Sequence, residues 1–151
     1  MKMKKYSVPK NFNSSIGHNS LNNYQSLRKN AEQDSNSYWE SVAERIDWFD
    51  NWTTINNTDY SKAHIEWFSN GKLNASYNCI DRHIENGLGE KTALIWQSND
   101  PTISTNVSYN ELLKKVSLFA NGLKRAGINK GDRVCIYMQM IPEAIIAMLA
   151  C

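Results

Sequence analysis

Residues Trp67 to His83, WFSNGKLNASYNCIDRH, gather a thiol, an imidazole, a carboxylate, a guanidinium and an ammonium in one short run. Such a run could be a metal site, a nucleophilic site or a packed structural knot. Cys79 and His83 stand four apart, the spacing that places two side chains on one face of a helix. Two ligands fall short of a structural zinc site, and no second pair of suitable spacing lies nearby. The same two residues could act as thiol and base, but no third group is there to orient the imidazole. Asp81 and Arg82 are neighbours in sequence and leave a helix on different faces, so each is expected to reach another segment. Gly71-Lys72 lacks the upstream glycine and the following Ser or Thr of a phosphate loop. Asn78 is expected to cap a turn over Cys79 to His83. The run therefore reads as an aromatic, capped-helix knot. No catalytic residue, no cofactor-binding residue and no metal ligand is assigned in the chain.

Composition narrows the function classes. The chain has 151 residues, the size of one ordinary domain. A net charge of +2 gives no field aimed at nucleic acid or a membrane surface. No run is long and apolar enough to span a bilayer. Neither nucleic acid nor membrane is an expected partner. Cys79, Cys135 and Cys151 are odd in number and irregular in spacing, which is no disulfide framework. A reducing, cytoplasmic compartment is the natural reading. The sequons at Asn13, Asn51, Asn56, Asn74 and Asn106 then follow from an Asn-rich composition rather than from glycosylation. MKMKK is basic, but no apolar run follows, so it is not read as a secretory signal. The first acidic residue is Glu32, which fits an organelle-targeting leader, but the Arg-rich amphipathic pattern of such a leader is missing.

The elements that would position these side chains come next. Met1 to about Ser20 is polar and Asn- and Ser-rich, too poor in apolar groups to offset ordering entropy, and a flexible arm is expected over residues 1–36. A first helix is expected from Ser37 to Phe49, with Ser37 and Glu40 as a capping box. Its apolar face would be Trp39, Val42, Ala43, Ile46 and Phe49. Asn51 to Lys62 reads as a connection. Strands are expected at Thr92–Trp96 and near Ser104–Val107, then a helix capped by Ser108 and Glu111. That helix carries Leu112, Val116, Phe119, Leu123 and Ala126 as one stripe and stops at Gly127. Lys130-Gly131-Asp132 is a turn and Arg133–Met138 a further strand. Pro142 suits the first turn of a last helix, Glu143 to Cys151.

Two features of this tail carry weight. Strands that are apolar nearly throughout imply burial on both faces, as in parallel sheets joined by right-handed crossovers. The last helix is apolar almost all round and needs neighbours on most sides. The expectation is the N-terminal part of a larger α/β protein.

The ordered wording of the chain also resembles a known family. Trp67-Phe68, Gly71 to Asn74, Asn78 to His83, Lys91 to Ala93 and Ile95-Trp96 resemble a segment of the acetyl-coenzyme A synthetases, the AMP-forming acetate ligases. The likeness continues through Ser108 to Leu112, Phe119 to Asn121, Lys130 to Val134, Ile136 to Met138, Ile141 to Glu143 and Ala147 to Cys151. Tyr38-Trp39 and Ile46 to Trp48 fit a weaker upstream pattern. Propionyl- and acetoacetyl-coenzyme A synthetases share parts of this wording, and Asn78 to His83 favours the acetyl enzymes.

The resemblance implies an α/β fold: the N-terminal part of the large domain of an adenylate-forming enzyme, an incomplete sheet with flanking helices. It implies an arm over 1–36, a cap region over 37–90 and the start of the AMP-binding domain over 91–151. For the full-length enzyme it implies acetate as substrate, with ATP, coenzyme A and Mg2+. Acetate and ATP would give acetyl-AMP and pyrophosphate, and the coenzyme A thiol would then attack the adenylate. The Gly-rich loop with its Lys, the adenine-binding segment and the C-terminal domain of that family do not occur in these 151 residues. The segment is expected to be scaffold, binding none of these ligands alone. Gln139 stands where the family usually has Pro, which restores a backbone N–H and loosens φ. The connection after Trp48 is Asn- and Thr-rich where the family usually carries proline. Other readings are a ligase for propionate or another short acid, and a non-enzymatic interaction module.

Overall fold

The computed structural model describes Tyr6 and residues 21–151. The expected arm over Met1–Ser20 lies, Tyr6 apart, outside the described residues. The chain forms two compact units, one of residues up to Arg45 with Trp52–Ser69, the other of Ile46–Asn51 with Asn70–Cys151.

The first unit opens with two helices, α1 over Leu21–Gln33 and α2 over Ser35–Ala43. Helix α1 falls within the segment expected as arm. It buries no side chain and carries one exposed i, i+4 pair, Arg28 Nε to Glu32 Oε1 at 2.8 Å. The N-cap of α2 is Asp34, which corrects the expected Ser37–Glu40 capping box. Asp34 Oδ1 accepts from the Ser37 backbone N–H at 3.0 Å and Oδ2 from its hydroxyl at 2.7 Å. A carboxylate satisfies an orphan donor and also complements the positive helix end, so it wins the cap over a serine three residues later. Those same bonds from Ser37 hold the Asp34 carboxyl below the usual carboxylate range.

The Asn51–Lys62 connection is more ordered than expected. It contains β1 (Thr54–Asn56), which pairs antiparallel with β2 (Trp67–Ser69) in the register Thr54↔Ser69 and Asn56↔Trp67. Between them a 3-10 turn over Tyr60–Lys62 is capped by Asp59, which accepts from Ser61 N–H at 3.0 Å and from its hydroxyl at 2.6 Å. Aromatic rings cover the ribbon edge to face: Trp52 on Phe68 at 5.2 Å and Trp39 on Trp67 at 5.8 Å. Such pairs add about 0.5–1.5 kcal/mol each beyond the area they bury. They stabilise a ribbon otherwise too short to stand in water.

The second unit contains α3 (Ala75–Cys79), the single turn α4 (Asp81–His83), β3 (Thr92–Gln97), β4 (Ser104–Ser108), α5 (Tyr109–Arg125) and α6 (Pro142–Ala150). Strands β3 and β4 form an antiparallel hairpin, with Leu94↔Val107, Trp96↔Thr105 and Gln97↔Ser104 paired. This corrects the parallel arrangement expected from the apolar runs. The connection from Ser98 to Ile103 is too short for a crossover, which needs about a dozen residues. It closes through Asp100, whose Oδ1 accepts from the Thr102 N–H at 2.9 Å and hydroxyl at 2.7 Å.

Helix α5 follows without a break. Ser108 Oγ accepts from Glu111 N–H at 3.2 Å, as the sequence pattern predicts. Gly127, at φ 89°, ends it in the left-handed conformation that glycine adopts without a steric cost. Ile128 N–H then donates to Leu123 O and Gly127 N–H to Lys124 O, both at 3.1 Å. The core holds Ile80, Val107, Leu112, Val116 and Ile146, with Ile84, Ala93, Leu94, Leu113, Leu149 and Ala150 against it. The expected α5 stripe is therefore buried only at its N-terminal half, since Phe119 stays 42% exposed. Pro142 sits in the first turn of α6, where its missing N–H costs nothing.

Arg133–Met138 is not a strand, against expectation. Among the described residues no strand pairs with it, and an apolar run without a ladder is only extended chain. Val134 and Ile136 are half-buried while Cys135 and Tyr137 are exposed, Tyr137 at 99%. The segment is anchored near its end by the Trp96 indole, whose Nε1–H donates to Met140 O at 2.7 Å. At Gln139, the site of the expected looser bend, the carbonyl accepts from Ile141 N–H at 2.9 Å.

Candidate functional site

The reactive-looking run does not fold as one knot. Trp67–Ser69 belongs to the first unit as β2, and Asn70–His83 belongs to the second. The second part builds the candidate site, beginning at Lys72. Its carbonyl accepts from Phe49 N–H at 2.7 Å, its N–H donates to Asp50 O at 2.9 Å, and its ammonium donates to Asp50 Oδ2 at 2.8 Å. Lys72 is thus a tie between chain segments, with its charge neutralised. The pair is exposed, so its ammonium pKa is raised chiefly by the hydrogen bond to Asp50, with little consequence for stability.

Asn74 is the N-cap of α3, with Oδ1 accepting from Tyr77 N–H at 3.0 Å. This corrects the expected cap at Asn78, which lies inside α3 and is 8% exposed. Asn78 instead clasps the segment before it. Its Oδ1 accepts from Asp47 N–H at 2.8 Å, and its Nδ2 donates to Asp47 O at 2.9 Å and to Asn74 O at 3.0 Å. An amide is the side chain that serves a backbone N–H and C=O of one residue at once. With both backbone groups of Asp47 so engaged, a helix cannot run on through it. The expected helix to Phe49 accordingly ends at Ala43.

Ile80, fully buried, breaks the helix at φ −128°, ψ −70°. Cys79 and His83 therefore do not share one continuous helical face, and the thiol–imidazole pair is not formed. Cys79 is an exposed free thiol. The His83 ring lies 4.9 Å from that of Tyr109. Asp81 and Arg82 do not pair with each other; Arg82 Nη1 stands 3.8 Å from Asp47 Oδ1. The Tyr77 hydroxyl donates to Glu85 Oε2 at 2.7 Å, and its ring stacks edge to face on Phe49 at 5.5 Å. The hydrogen bond to Glu85 is the main cause of a raised Tyr77 pKa. Among the described residues no three His, Cys, Asp or Glu side chains converge as a metal site. Lys72, Tyr77, Asn78 and Arg82 are each engaged by another group of the chain.

Sequence reasoning missed Asp47 and Glu85. No spacing rule links Asp47 to Asn78 and Arg82. Tyr77 and Glu85 are eight apart, a separation that no single regular helix brings into contact across the Ile80 break.

Two family models match successive parts of the chain. Residues 81–151 match the family model described as AMP-binding enzyme, and residues 24–79 the one described as acetyl-coenzyme A synthetase N-terminus. The two matches meet at Ile80, where α3 ends. Acetyl-coenzyme A synthetase of Magnetococcus marinus is 50% identical over 129 residues, 85% of this chain and 20% of the relative. That of Leptospira biflexa is 46% identical over 132 residues, 87% of this chain and 20% of the relative. That of Halorhodospira halophila is 41% identical over 149 residues, 98% of this chain and 23% of the relative. The class defined over residues 81–151 is that of the AMP-binding enzymes. Within it, the chain is similar to the acetyl-coenzyme A synthetases, of whose length it spans about a fifth.

Proposed function

We propose that this chain is the scaffold-forming N-terminal segment of an acetate–coenzyme A ligase. The whole enzyme would activate acetate with ATP, assisted by Mg2+, to acetyl-AMP and pyrophosphate, and would then pass the acetyl group to the coenzyme A thiol. Residues 1–36 would be an arm, 37–90 a cap region and 91–151 the beginning of the AMP-binding domain. The product would work in the cytoplasm. No residue of this segment is assigned to catalysis, cofactor binding or metal binding.

The observation that carries the scaffold role is the Asn78 clasp. Adenylate formation needs converging donors and cations left free for the developing charge. Here Asn78, Lys72, Arg82 and Tyr77 are engaged by the chain itself. Among the described residues no three His, Cys, Asp or Glu side chains converge to hold Mg2+. The encoding frame past the codon for Cys151 tests the ligase reading. An open frame that soon encodes a Gly-rich loop ending in Gly-Lys supports it. A stop codon directly after Cys151 overturns it for this product and favours an interaction module, a reading to which exposed Tyr137, Met138 and Met140 lend support.

A further inference from the structure

We draw no further inference here: the strongest candidate, the open apolar groove of about 510 Å³ between the C-terminal half of α5, the 128–136 segment and α6, carries nothing because nothing in the structure shows what covers it.

Discussion

Replacing Asn78 tests the clasp directly, because the side chain is buried and its three partners are backbone or carbonyl atoms of known distance. Asn78→Ala removes three hydrogen bonds, two to Asp47 and one to Asn74. At about 1 kcal/mol net for each neutral bond, the loss is roughly 3 kcal/mol. Water reaches Asp47, which is exposed, so its freed backbone groups are rehydrated and the loss does not climb to the full desolvation penalty. For a unit of this size, at about 4–8 °C per kcal/mol, the melting temperature should fall by roughly 12–24 °C.

Asn78→Asp sharpens the test, since it keeps the shape and the acceptor but faces two carbonyl oxygens without a donor. Those oxygens disfavour its charged form, so its folded pKa is raised above the unfolded value of about 3.9. A raised acid loses stability as pH climbs past the unfolded value. The deficit relative to the native chain should therefore be larger at neutral pH than in acid. Urea unfolding followed by tryptophan fluorescence, to which Trp48 and Trp96 of this unit contribute, reads both effects. A deficit below about 1 kcal/mol for Asn78→Ala, or an Asn78→Asp deficit no larger at neutral pH, refutes the clasp.

Other perturbations follow from the same geometry. Ile80→Ala, at a fully buried core position, should cost about 2–5 kcal/mol in urea unfolding, and a loss within experimental error would remove Ile80 from the core. Gly127→Ala forces a side chain into left-handed backbone with open space around it, so the cost is conformational, about 1–2 kcal/mol. Circular dichroism melts check it, and an unchanged melting temperature contradicts the α5 stop. For Asp34 the folded pKa is depressed, so its contribution is present above the unfolded carboxylate value and is lost as pH falls through the lower, folded one. The stability gap between the native chain and Asp34→Ala should close in that acid window, and a gap constant with pH speaks against the cap. All three cysteines are exposed and unpaired, so a thiol reagent such as Ellman's should titrate three thiols in the folded chain without denaturant. Fewer than three would contradict their exposure.

The local signals in the sequence translated well and the long-range ones did not. Thr92–Trp96, the Ser108 cap, the Gly127 stop and Pro142 at the start of α6 are each set by residues within one turn of each other, and each stands where its chemistry places it. The strand direction failed for a physical reason. Apolar strands look alike whether they are paired parallel or antiparallel, and the short Ser98–Ile103 turn was the better signal. Arg133–Met138 shows the converse: composition proposes a strand, but only a partner makes one. In the site, the Asn-Cys-Ile-Asp-Arg-His wording identified the family, while the Asn78–Asp47 contact that gives it a structural role was invisible. A side chain that reaches across thirty-one positions leaves no periodicity to read.

Under the proposed function, this segment would hold an enzyme together without taking part in its chemistry. Acetate-dependent exchange of labelled pyrophosphate into ATP, measured with the 151-residue chain alone, tests that claim most directly. Exchange at the level of a protein-free control is the predicted result. Exchange that rises with acetate and with the concentration of the chain would contradict the account, because residues of this segment would then carry adenylate formation.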